Sequence, residues 1–180
     1  MKNLIETLKA EHQYILKEIE AIESDSLINP KRLKSLFEFI ELVHHDKEET
    51  LLFPHIANQQ WLKQGGPLCS FFMGIRIDID PLSRMKKHLQ QFYNLSKQAV
   101  YEKKKFSWLI TQSPLSIPME EHEIGDQLSK GLLYLLEQNR KSSQENDLFK
   151  LLLHDYFELL KAHIQKEDMC LFSQCLIKTL

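Results

Sequence analysis

Glycine and proline are scarce in this chain, five and six residues of 180. With Leu, Lys, Glu, Gln and Ile abundant, that shortage favours helices over a sheet. Cysteine occurs three times, an odd count without paired spacing. No disulfide framework follows from it, and reduced thiols fit a cytosolic chain. Charge of one sign is also lacking: the formal net charge is -2, and basic clusters such as KKK at 103–105 are short. The chain therefore has no electrostatic footprint for nucleic acid or an anionic membrane. Nor does it open on an uninterrupted apolar run. MKNLIETLKAEHQYILKEIE carries acidic residues throughout, which argues against a signal peptide or a membrane span and for a cytoplasmic location. At 43% hydrophobic residues the length suffices for one sizeable core, so a single domain over 1–180 is expected.

Helical periodicity organises what is present. Residues 3–23 place Leu4, Leu8, Ile15, Ile19 and Ile22 on one stripe with His12 in its middle. SDSLINP breaks that helix, Pro30 opens a second one to about residue 60, and Pro54 is expected to kink or end it. QGGP at 64–67 is a stop. Beyond it, Ile75, Ile77 and Ile79 alternate with charged residues like a short strand, and Asp80-Pro81 starts a helix reaching about 104. TQSPLSIP links to a third main helix over 118–140, and after RKSSQEND a last helix spans 145–177. These elements predict an all-α, up-and-down four-helix bundle with an inserted segment at about 61–117.

One stretch, HHDKEETLLFP at 44–54, sets an energetic problem. His44 and Glu48 lie one turn apart on a stripe that also carries Leu33, Phe37, Ile40, Leu51 and Leu52, so both are expected inward. His45 and Glu49 fall with Glu38 and Glu41 on the opposite, solvated face. Burying a carboxylate and an imidazole costs several kcal/mol, roughly, unless something compensates them.

An internal repeat supplies the rest of the set. FEFIELVHHDKEETLLF at 37–53 aligns without gaps to YFELLKAHIQKEDMCLF at 156–172, so His44 falls on His163, Glu48 on Glu167 and Glu49 on Asp168. Helices one and three match through Glu11-His12 and Glu121-His122. His12, His44, Glu48, His122, His163 and Glu167 thus offer six imidazole and carboxylate donors in two axial layers. Such donors suit iron, manganese or zinc. Two metals fit them better than one, each held by two histidines with the glutamates bridging and open positions left for a small ligand.

In EHQYI at 11–15, H-x-x-x-EE-x-x-LFP at 44–54, EHEIGDQL at 121–128 and H-x-x-x-ED-x-x-LF at 163–172, the sequence resembles the hemerythrin-like, His-His-Glu cation-binding family. The resemblance implies a non-haem centre of two iron ions, oxo- or hydroxo-bridged, held by those six residues, with zinc or manganese as other occupants. It implies oxygen, nitric oxide or peroxide as ligand and a part in sensing or in oxidative and nitrosative stress. An enzyme of iron-sulfur repair, peroxide reduction or ferroxidase type is the alternative, and a helical interaction module with a vestigial site is a third. Oxygen-carrying members have a further histidine one turn before the third-helix ligand, where this chain has Pro118, and an aspartate where it has Asp168. The set therefore looks more like the four-histidine, two-glutamate type than an oxygen carrier. His45, His55 and His154 are read as structural or solvated, His88 as a surface histidine and Cys170 as a small core residue, while Asp126 could join the site or cap. Tyr14, Trp61 and Trp108 are read as core aromatics that could shape a ligand channel.

Overall fold

The stripe on the first segment folds as α1 (Lys2–Ser24), which buries Ile5, Leu8, His12, Ile15, Ile19 and Ile22. The lower edge of the stripe runs through Ile5, with Leu4 at its margin. The structure is a computed structural model that describes residues 1–63, 106–109, 113–137 and 143–178. The strand-like 75–79, the helix of 81–104, His88 and Cys69 lie outside the described residues.

α2 (Pro30–Phe39) starts at a cap that the sequence provides. The Asn29 side chain accepts hydrogen bonds from the backbone N–H groups of Lys31 and Arg32 at 3.0 and 3.3 Å, and Pro30 fills the first turn. Beyond α2 the rod does not stay α-helical. It widens into two π turns, Ile40–His45 and Glu48–Leu52, and resumes as α3 (Phe53–Ala57). The Phe53 N–H reaches back five residues to the Glu48 carbonyl. Pro54 therefore does not end the helix, which continues to Ala57 before the short α4 (Gln60–Lys63).

These π turns overturn one expectation. His45 and Glu49, assigned by 3.6-residue stepping to the solvated face, are 5% and 3% exposed, while Leu51, assigned inward, is 54% exposed. A π turn takes about one residue more than an α turn, so neighbours in sequence swing onto the same face. His44 and His45 both turn in, and so do Glu48 and Glu49.

Ser113 opens the third main helix, accepting the Leu115 N–H on its hydroxyl at 3.3 Å, and α5 (Ser116–Glu137) follows with Pro118 in its first turn. The last rod comprises α6 (Ser143–Lys166), a third π turn (Glu167–Leu171) at the repeat position of the second, and α7 (Phe172–Lys178). No strand occurs among the described residues.

α1 packs on α2 and α6, α2 on α5, and α5 on α6. Two apolar clusters result. One gathers Ile15, Ile19, Leu33, Phe37, Leu128, Phe149 and Tyr156. The other gathers Ile5, Leu8, Leu52, Phe53, Met119, Leu171 and Phe172, with Trp61 and Trp108 against it. α1 and α5 run from the second cluster into the first, and the two π-containing rods run back. Between the clusters every rod carries polar side chains into the interior. No described helix is long and apolar enough to cross a membrane.

Candidate metal centre

The layer between the clusters is a knot of buried imidazoles and carboxylates. His12, His44, Glu48 and Glu167 form one group, and His45, Glu48, His122 and His163 a second. In each group one donor atom per residue lies within 4.8 Å of all the others. Glu48 belongs to both. Its Oε1 is 3.6 Å from His44 Nε2 and its Oε2 is 3.3 Å from His122 Nε2. Glu167 Oε2 stands 3.3 Å from both His12 Nε2 and His163 Nε2. All six residues singled out by the spacing are thus brought together, and His45 joins them.

Behind four of these five rings stands a further carboxylate. His12 Nδ1 pairs with Asp168 Oδ1 at 2.9 Å, His44 Nδ1 with Glu11 Oε2 at 3.0 Å, His122 Nδ1 with Glu49 Oε1 at 3.0 Å, and His163 Nδ1 with Glu121 Oε2 at 2.9 Å. With Nδ1–H donating to the carboxylate, each Nε2 is the nitrogen left to offer a lone pair to a cation in the interior. This is the usual support behind a metal-ligating histidine, fixing tautomer and ring orientation. Lys47 and Lys166, equivalent in the repeat, in turn bind Glu11 and Glu121. Asp168 is therefore a support for His12 and belongs to neither donor group. Asp126 is also in neither, and its Oδ2 pairs with Lys130 at 2.8 Å. His55 and His154 are exposed. Tyr14 is exposed too, at 44%, with Phe39 at its edge. Trp108 packs on Phe53, whose ring lies 5.8 Å from that of His122.

The inward atoms satisfy one another only in part: His122 Nε2 and His163 Nε2 lie within hydrogen-bond distance, 3.2 Å apart. Among the described residues, His12, His44 and His45 Nε2 and both oxygens of Glu48 and Glu167 have no hydrogen-bond partner, because contacts such as 3.3 Å between His12 and Glu167 are close but not aligned. Their electrostatics conflict accordingly. Burial pushes His44 down to about 4 against the pull of Glu11, and burial holds His45 well below the usual histidine range. Burial also raises Glu48 well above the carboxylate range, with the Glu167 charge adding to it. At His163 burial is outweighed by Glu167 and Glu121, which lift it to about 10. At Glu167 burial is likewise outweighed, by His163 and His12, which hold it well below the ordinary value. Cations between the rings would meet the lone pairs and the carboxylates at once, so the donor set fits metal ions.

Fold and site together define a helical protein with a buried histidine and carboxylate centre suited to cations. The sequence profile of the hemerythrin HHE cation binding domain matches residues 3–67. That span holds α1 and the whole first π-containing rod, with His12, His44 and Glu48. No curated protein and no solved structure matches the chain.

The carboxylates behind the rings were not assigned from sequence. Their signal was present as an acid directly before His12 and His122 and directly after Glu48 and Glu167.

Proposed function

We propose that this chain is a hemerythrin-like, non-haem di-iron protein that binds oxygen, nitric oxide or peroxide in sensing or in the response to oxidative and nitrosative stress. The chain forms one domain, an up-and-down four-helix bundle with an insertion at about 61–117, and His12, His44, Glu48, His122, His163 and Glu167 hold the metals. The observation that carries this reading is the sharing of Glu48, whose two oxygens face different histidines in two adjoining donor groups. Iron, when bound, supplies a redox couple and open coordination positions for a small ligand.

The chain's own residues do the remaining work. Carboxylates behind the four rings keep Nδ1 protonated and Nε2 free to bind. Phe172 stacks on His12 at 5.3 Å, and Phe53 with Leu52 and Leu171 closes the same side, so water is kept from the centre. Metal content with a near-ultraviolet and visible spectrum tests the proposal, on the intact chain and on His44→Ala and Glu167→Ala. Two irons per chain, one for each donor group, with loss in both variants, support it. Zinc alone, or no metal, overturns it. Catalytic turnover of peroxide or ferrous iron by the loaded protein would replace the binding role with an enzymatic one.

A further inference from the structure

We infer that His45 is a seventh metal ligand, bound through Nε2, and that it makes the two metal positions unequal. The inference rests on the dinuclear reading above and extends it to a residue that helical periodicity sends to the surface. Four observations carry it. The π turn Ile40–His45 swings the ring inward beside that of His44. Its Nε2 is buried and, among the described residues, has no hydrogen-bond partner, an arrangement that is costly for a polar atom with nothing to bind. That ring stands in the donor group of Glu48, His122 and His163. It is also held in place, stacked on His122 at 3.7 Å with an interplanar angle of 11°.

The internal repeat sharpens the point. Glu11, His12, His44, Lys47, Glu48 and Glu49 each have a counterpart of the same chemistry in the other half, but His45 falls on Ile164, which is buried in an apolar cluster. An apolar residue thus serves packing at this position, and the histidine is an addition on one side only. One metal position is then offered three imidazoles with Glu48, the other two imidazoles with Glu48 and Glu167.

Cobalt(II) loaded into the metal-free full-length chain is the probe, read by proton NMR. Each coordinated imidazole then shows one hyperfine-shifted ring N–H that disappears in heavy water. Five such signals are expected in the intact chain, from His12, His44, His45, His122 and His163, and four in His45→Ile, which installs the residue found at the repeat position. The variant is also expected to weaken one of two cobalt binding steps by at least about tenfold. Four signals in the fully loaded intact chain overturn the assignment of His45 while leaving the dinuclear reading standing. Failure of the intact chain to take up cobalt overturns the dinuclear reading itself. Because the intact chain alone distinguishes five from four, the test holds even if His45→Ile does not fold.

Discussion

At the residue scale the centre is held by bonds between rods. Each of the four supported histidines takes its carboxylate from another rod, Glu11 reaching His44, Glu49 reaching His122, Glu121 reaching His163 and Asp168 reaching His12. Glu121→Gln keeps an acceptor behind His163 but removes the charge that makes its Nε2 a strong donor. It is expected to lower metal affinity by roughly 10- to 100-fold, measured by chelator competition, with unchanged helicity by circular dichroism. Glu38→Gln, in an exposed ion pair with Lys34, is the control and leaves affinity unaltered. Equal affinity for both variants would show that the carboxylate behind the ring is only packing. Such partners were hard to read from sequence because no helical spacing links residues on different rods. The inward donors were easier, since a histidine or glutamate on an apolar stripe stands out locally and recurs in the repeat.

At the element scale the α segments and the π turns differ in legibility. Caps, apolar stripes and breaks follow from short-range chemistry, so the starts at Pro30 and Ser116 lie close to where Asn29-Pro30 and TQSPLSIP place them. Asn29→Ala removes the acceptor for two backbone N–H groups and is expected to cost about 1 kcal/mol, read by urea denaturation of the metal-free protein. No loss of stability would mean that Pro30 alone sets the start of the rod. Gly125 in α5 offers a second test. A methyl group there would touch Tyr156 at 3.4 Å and Leu159 at 4.0 Å, ordinary contact distances. Gly125→Ala is therefore expected to raise stability by roughly 0.5–1 kcal/mol through lower chain entropy, whereas a drop would mean that Tyr156 cannot give way. The π turns left no such local mark. His45 was misplaced because stepping by 3.6 assumes the regular helix that the functional layer interrupts, and Ile164 at the repeat position hides the exception.

At the scale of the whole molecule, the buried layer sets how stability depends on pH. In the metal-free protein the folded-state values of His44, His45 and His122 are lowered, chiefly by burial. Unfolding releases these rings to bind protons at the ordinary histidine value, so the unfolded state holds more protons as pH falls from 6.5 toward 4, and stability drops across that window. His163 and His12 work in the opposite sense. Their folded values are raised because nearby carboxylates outweigh burial, so their contribution is complete below 6.5 and fades as pH rises, for His163 through about 10. The metal-free chain is thus expected to be most stable near neutral pH. Glu48, raised chiefly by burial, likewise loses stability as pH rises above 4.5. At pH 5, however, the unfolded histidines are almost fully protonated while the three lowered rings are held neutral in the fold, so the melting temperature should be lower at pH 5 than at pH 7. Added ferrous iron should raise the melting temperature at pH 7 by joining four rods through Glu48 and Glu167. That gain should shrink at pH 5, since protons compete for the same imidazole nitrogens and bound metal must displace them. Differential scanning calorimetry of the metal-free and iron-loaded chain at the two pH values checks both statements. A melting temperature that is flat in pH and indifferent to iron would mean that the inward rings are satisfied within the fold, and that the layer carries structure without cations.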